Sequence, residues 1–298
     1  MDREEMAHCL SRLGVWTKGD QRAPHKPLLL LLTLARAQQG ADRLVSYKEI
    51  ERPLADLLRE FGPARRSYHS EFPFWHLQSD GIWELTDRSD ALSPTGKISI
   101  RALRNRNVRG GLDRAMWELF RRDPEAVAQA ARLLLETNFP ETLHDDILAA
   151  VGLDTALATS TVKSGRRIRS AVFRERVLRA YDYRCAVCGL DIRLGHMPVA
   201  LEAAHIKWFQ AGGPDEINNG LALCTLHHKL LDRGAIGIGA QGQILVSDNV
   251  NGHEGFEEWV GRFHNAELRT PRNLEYAPAD AFAKWHIREV FQGNSSFS

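Results

Sequence analysis

No run of about 18 consecutive apolar residues occurs in this chain, which excludes a helical membrane span. Met1-Asp2-Arg3-Glu4-Glu5 lacks the basic-then-apolar order of a secretory signal, and the apolar stretch Leu28 to Leu34 is too short and too far along to serve as one. A cytoplasmic protein is expected. Cysteine is scarce as well: there are four, of which Cys9 stands alone and three fall at ligand spacing, a pattern of reduced thiols and metal rather than disulfides. Strong net charge is missing, at +1, so any nucleic-acid contact must come from local stripes. Arginines do crowd Arg101 to Arg114 and Arg166 to Arg184, although either stripe alone also fits a solvated helix face. Internal repeats are absent, and only the short tail 294–298, expected to fray, is of low complexity.

What remains is an ordinary globular composition over 298 residues, long enough for two domains with separate cores. Residues 3 to 19 read as an amphipathic helix, and Pro27 can open a second one through the apolar Leu28 to Ala35, the expected buried centre of the first domain. A third helix is expected over Tyr47 to Phe61, stopped by Gly62-Pro63. Aromatic residues, histidines and arginines then alternate from Arg65 to Leu85, where Asp80-Gly81 suggests a hairpin. Arg101 to Gly111 reads as a basic loop, followed by helices near Leu112–Arg121, Pro124–Glu136 and Leu143–Val151. The small, polar, aperiodic string after Asp154 marks a linker, so the expected division is 1–153, a linker over 154–167, and 168–298. The second half opens on a basic amphipathic helix from Arg166 to Tyr181. Beyond the cysteine-rich stretch it offers a hairpin at 236–246, a helix near Gly255 to Phe263 and a closing helix from Pro278 to Phe291.

The chemistry concentrates between Cys185 and Asp232. Two thiolates two residues apart can share one tetrahedral zinc, and Cys185-x-x-Cys188 is completed by Cys224-x-x-His227. The expected structural zinc ligands are Cys185, Cys188, Cys224 and His227. With 198–206 as a strand, His205 ends one arm of a hairpin, Asn219 precedes the other arm, and His228 lies one turn into a helix.

In this stretch the chain resembles the HNH endonucleases, ββα-metal nucleases, through His205, Asn219 and His228 within the knuckled frame. The resemblance implies one-metal hydrolysis of a phosphodiester. His205 would be general base, Asn219 would hydrogen-bond and orient it, and His228 would hold Mg²⁺ or Mn²⁺. Many members carry a second metal ligand where this chain has Ala204. Glu202 is the nearest substitute, and Asp232 a weaker one.

The first half resembles the sulfur-binding domain found ahead of HNH modules in restriction endonucleases that depend on phosphorothioated DNA. The resemblance rests on Pro24-His25-Lys26-Pro27 with its leucine helix, and on Tyr68 to Trp83. It implies an apolar cup for the poorly hydrated sulfur, lined by Phe72 and Pro73 and edged by His25, Lys26 and His76. Lys26 with Arg65 or Arg66 would hold the phosphate charge, and Ser70, Gln78, Arg104, Arg106 and Arg109 would contact bases or backbone. The family pocket usually has tyrosine where Phe72 stands and a small residue where His76 stands.

The expectation is thus an α+β chain: an α-rich reader of phosphorothioated double-stranded DNA, then a zinc-stapled HNH endonuclease, with a homodimer suggested by double-strand cutting. Two rivals remain. A reader of methylated bases would need an aromatic cage, for which Trp75 and Trp83 are available; a non-catalytic zinc-containing DNA-binding protein would need no metal beyond the zinc.

Overall fold

Why the chain divides where it does follows from where its apolar faces find partners. In the computed structural model, which describes residues 1–14, 19–87, 91–92, 96–154 and 166–293 (backbone alone at 166–170), contacts separate into two units, Met1–Ser160 and Thr161–Ser298. Most of the expected linker, and the tail 294–298, lie outside the described residues. No helix among the described residues is long and apolar enough to cross a membrane.

Unit 1 is built round a leucine helix. Helix α1 (Arg3–Ser11) starts on a capping box between Asp2 and Glu5. It ends well before residue 19, because the chain is drawn away at Gly14, whose N–H donates to the Asp80 carboxylate at 2.7 Å. Helix α2 (His25–Gln38) buries Leu28, Leu29, Leu30, Leu31 and Leu34, and Pro27 sits in its first turn, where a missing N–H costs nothing. The one hydroxyl in that apolar run, Thr33, is satisfied by the Leu29 carbonyl at 2.8 Å.

After β1 (Val45–Ser46), α3 (Tyr47–Phe61) takes the bounds its periodicity predicts, with Ser46 as N-cap and Gly62 as stop. The aromatic stretch then forms α4 (Glu71–His76) and a 3-10 turn over Leu77–Asp80. Asp80-Gly81 is therefore not a hairpin: Gly81, at φ 75°, closes that helical turn.

The expected basic loop is also regular structure. Helix α5 (Ile100–Asn105) is capped by Ser99, and β3 (Arg109–Leu112) runs antiparallel between β1 and β2 (Trp83–Leu85). Helices α6 (Arg114–Arg122), α7 (Pro124–Asn138) and α8 (His144–Val151) complete the layer round α2.

Unit 2 starts with α9 (Arg166–Ala180), whose buried Phe173, Val177 and Leu178 cover a small hairpin. The Cys185–Cys188 knuckle and a two-stranded ribbon, β4 (Arg193–Leu194) with β5 (Met197–Pro198), lead into β6 (Leu201–His205). Strand β7 (Gly220–Cys224) pairs antiparallel with β6, placing His205 opposite Gly220 and Leu201 opposite Cys224. Then come α10 (Thr225–Asp232), the hairpin β8 (Ile236–Ile238) with β9 (Ile244–Val246), α11 (Phe256–Trp259) and α12 (Asp280–Glu289). Helix α12 does pack back on this module: Trp285 meets Trp208 edge-on at 6.1 Å, and His286 Nε2 donates to the Leu231 carbonyl at 2.9 Å.

Strand β3 reads Arg-Gly-Gly-Leu because its middle has no room. A Cβ on Gly111 would stand 2.0 Å from the Arg43 carbonyl oxygen, which belongs to backbone and cannot swing away. Gly111→Ala is expected to destabilise unit 1 by roughly 1–3 kcal/mol, the usual range for overpacking, read as a lower melting temperature.

Candidate functional site

Cys185, Cys188, Cys224 and His227 converge. Their ligand atoms all lie within 4.8 Å of one another, the one such group of four among the described residues. The knuckle is closed by Gly189 N–H on the Cys185 carbonyl at 2.8 Å and tied to β7 by Ala186 N–H on the Ala222 carbonyl at 2.7 Å. His227 Nε2 donates to the Trp259 carbonyl at 3.0 Å, which leaves its Nδ1 lone pair facing the thiols, 3.0 Å from Cys224 Sγ and 3.7 Å from Cys185 Sγ. Hydrogen bonds from Cys188, Cys224 and His227 drive Cys185 well below the usual thiol range, towards the thiolate a metal requires. This donor set can hold a tetrahedral zinc.

His205 and His228 occupy the hairpin end and the helix as the sequence suggests, and each is paired with a carboxylate. His228 lies between two: Nδ1 is 2.6 Å from Glu202 Oε2, and Nε2 is 3.2 Å from Asp232 Oδ2. Burial opposes charge on His228, yet Asp232 and Glu202 together push it up to about 10. The bond from His228 in turn holds Glu202 below the usual carboxylate range. Asp232 is nearly buried, with 2% of its side chain exposed, whereas Glu202 is 43% exposed and is the carboxylate open to a ligand. A cation that took the place of the Nδ1 proton would meet one imidazole nitrogen and one carboxylate, while Asp232 kept the Nε2–H and the ring orientation. One imidazole and one carboxylate can hold a divalent cation.

His205 lies flat against Phe173, ring centroids 4.0 Å apart and planes 13° apart, and its Nε2 is 2.9 Å from Asp215 Oδ1. Burial lowers its pKa from the ordinary imidazole value, with Asp215 partly offsetting that.

Asn219 departs from expectation. It does not bond His205: its Oδ1 accepts from Lys207 N–H at 2.8 Å, and its Nδ2 donates to the carbonyls of Lys207 at 3.1 Å and Pro214 at 2.9 Å. Both amide protons are thereby used. The fully buried amide straddles a loop whose two ends carry His205 and Asp215. That loop closes so tightly that a Cβ on Gly213 would stand 1.8 Å from the Lys207 carbonyl oxygen. Asp215 escaped the sequence reading because only this closure brings it to His205, for which the Gly212-Gly213-Pro214-Asp215 turn was the available signal; Phe173 reaches His205 only through the packing of α9 on β6.

In unit 1, Phe72 is 44% exposed, stacked on His69 at 4.6 Å, with the exposed His76 ring centred 6.2 Å away. His25 stands near by: burial, with the charges of His69 and Arg65, lowers it to about 4, so it is neutral at physiological pH. Arg65 and Arg66 are exposed. His69, which the sequence reading left out, is held by Glu71 at 2.8 Å and Ser67 at 2.9 Å.

Other expected contacts point elsewhere. Pro73 is buried, and Ser70 is buried against the Tyr47 hydroxyl at 3.0 Å. Lys26 Nζ is held by Asp80 and the Gly14 carbonyl, both at 2.6 Å, because a nearly buried ammonium needs a counter-charge. Arg104 clasps Glu51 through two bonds at 2.8 and 2.5 Å. Arg109 donates to the Leu44 carbonyl at 2.6 Å, Arg106 lies 3.8 Å from Asp87, and Gln78 donates to the Trp75 carbonyl at 2.7 Å. Trp83 is 3% exposed and packed on Phe74, which removes it from any aromatic cage.

Comparison with known proteins agrees with this division. Residues 3–156 match the family described as ScoMcrA-like, DNA sulfur-binding domain, and residues 185–239 match the HNH endonuclease family. Among solved structures, the sulfur binding domain of ScoMcrA complexed with phosphorothioated DNA is 25% identical, with 51% of this chain and 98% of that one covered and a TM-score of 0.45. The corresponding SprMcrA complex is 22% identical, covering 51% and 95%, at 0.43. The type IV phosphorothioation-dependent restriction endonuclease ScoMcrA is 22% identical, and the match spans 53% of this chain but only 36% of that one, at 0.42. No curated protein matches the chain.

The purified chain is expected to carry one equivalent of zinc by elemental analysis. Cys188→Ser should lose that zinc and abolish the melting transition of unit 2 while leaving that of unit 1, because a site this small draws much of its folding energy from the metal.

Proposed function

The chain belongs to the ScoMcrA-like DNA sulfur-binding domain family, and from that premise we propose that it is a restriction endonuclease that reads phosphorothioated double-stranded DNA and hydrolyses phosphodiesters near the mark. It joins a DNA sulfur-binding domain to an HNH endonuclease domain. We assign the reader to residues 1–153 and the nuclease to 168–298, joined through 154–167. The observation that carries the reading is the ββα unit of β6, β7 and α10, which presents His205 and His228, each with its own carboxylate, beside four convergent zinc ligands.

In the reader, Phe72 offers sulfur an exposed aromatic face, with His69 and His76 around it and the neutral His25 near by. Desolvating sulfur there costs less than desolvating oxygen. The exposed Arg65, whose charge reaches His25, and its neighbour Arg66 supply charge to the phosphate.

In the nuclease, Cys185, Cys188, Cys224 and His227 hold a structural zinc, and His228 with Glu202 hold the catalytic cation. When bound, that Mg²⁺ or Mn²⁺ ion supplies positive charge to the scissile phosphate and the leaving oxygen. His205 takes a proton from water. Asn219 keeps the loop that carries His205 from moving, and Asp232 keeps the ring of His228 turned. Cutting both strands with one site per chain is easiest with two copies on the DNA, so we propose a homodimer as the acting species, in the cytoplasm. A methylated-base reader is disfavoured by the burial of Trp83.

The test uses matched duplexes, plain, cytosine-methylated or phosphorothioated in the Rp configuration, with Mg²⁺ or Mn²⁺. Tight binding and cleavage of the sulfur-bearing duplex alone are expected, and His205→Ala should abolish cleavage without loss of binding. Equal binding of all three would sink the reader assignment, and binding without cleavage by the wild type would return the protein to a non-catalytic role.

A pH profile checks the base. His205 acts neutral, and its pKa is lowered from the imidazole value of about 6.5. The acid limb of kcat/KM should therefore lie below that value.

A further inference from the structure

His205 is fixed in two ways, and the two leave different freedoms. Stacking on Phe173, with planes 13° apart, sets the plane of the imidazole. It does not set the rotation within that plane, since a half-turn of the ring about χ2 preserves the stack and exchanges the nitrogens for carbons. The contact that breaks this degeneracy is Nε2 to Asp215 Oδ1 at 2.9 Å. A carboxylate accepts and cannot donate, so in the neutral ring the proton is on Nε2 and the lone pair on Nδ1.

Asp215 is itself held. It follows Pro214, whose carbonyl accepts from Asn219 Nδ2 at 2.9 Å, while the same amide grips both backbone polar groups of Lys207, two residues after His205. Ile206 N–H donates to the Asn219 carbonyl at 2.9 Å. One buried asparagine thus sets the separation of the histidine and its carboxylate partner. The pair stays partly accessible, with 22% of the His205 side chain and 31% of the Asp215 side chain exposed.

We infer that Asp215 is the positioning residue for the general base, selecting the tautomer of His205 in which Nδ1 takes the proton of the attacking water. This rests on the nuclease reading above. In the step, water gives a proton to Nδ1 and its oxygen forms the new bond to phosphorus. The P–O3′ bond breaks, its electron pair leaves with O3′, and that oxygen takes a proton from solvent. Imidazolium then forms beside the Asp215 carboxylate, which stabilises the charge without accepting the proton. Asn219 acts one step further back, on the spacing of the pair.

Two readouts test this, both on the full metal-loaded chain. In ¹⁵N-histidine-labelled protein, with the His205 signal assigned by its absence in His205→Gln, long-range ¹H–¹⁵N correlation should show Nε2 protonated and Nδ1 bare. In Asp215→Asn the amide can donate as well as accept, so that preference should be lost; Asp215→Glu should keep it. On phosphorothioated duplex, Asp215→Ala should lower kcat about 100-fold, within the range that general-base catalysis contributes. KM should stay unchanged, and added formate should restore part of the rate to Asp215→Ala and none to His205→Ala.

An Nδ1–H tautomer in the wild type, the wild-type tautomer persisting in Asp215→Asn, or a rate loss that formate leaves untouched would overturn the inference. Were the Asp215 variants to unfold, the wild-type tautomer would decide alone. A wild type that cuts no duplex would count against the nuclease reading, and the tautomer would still decide the pairing.

Discussion

Two five-residue strands cannot hold a histidine still by themselves, since an isolated hairpin is marginal in water. The hairpin β6–β7 is held instead from three directions. Helix α9 lies so close to it that a Cβ on Gly220 would stand 2.5 Å from Val177. The knuckle and Cys224 tie its open end into the thiol cluster, and Asn219 locks the loop at its closed end. These restraints set where the side chains stand: Glu202 and His205 on the held strand, Asp215 on the locked loop, His227 and His228 on the helix capped by Cys224. These polar restraints supplement the apolar core of this unit, which suits a site that must keep charges apart as well as bring them together.

The sequence carried the parts of this that depend on local spacing. Two knuckles, a strand-ending histidine and a helix histidine can be read from residue intervals, and α3 can be read from Ser46, Gly62 and the apolar period between them. What failed were segments whose local chemistry serves two structures. Asp80-Gly81 suits a hairpin and a helix end equally, and only the packing of Phe74 and Leu77 chooses. Arg101 to Gly111 looked like a loop because its charges dominate, but its two glycines are there for a crowded strand, and Arg104 and Arg109 are bound within the domain. Ser70 and Lys26 looked like surface groups for the same reason: composition does not say which polar side chain will find a buried partner. Asp215 offered only its turn, because its partnership exists only when the loop between it and His205 folds back on itself.

The two units use histidine in opposite ways. In unit 1, burial and neighbouring positive charge keep His25 neutral. In unit 2, carboxylates flank the imidazoles, so that charge can be gathered, exchanged for a cation or created during reaction. The same side chain is kept neutral or drawn towards its charged form according to what lies within about 4 Å of it.

His227 and His228 are consecutive, and this adjacency has a geometric consequence. Neighbours on a helix are separated by a rise of about 1.5 Å and a rotation of about 100°, enough to aim one ring at the thiols and the next at Glu202. No spacer lies between the two duties, so the frame of α10 is shared. Inserting or deleting one residue before the pair would turn both rings off their partners together, and one inserted between them would carry His228 a further 100° round the helix. The register of this single turn admits substitution but not a change of length.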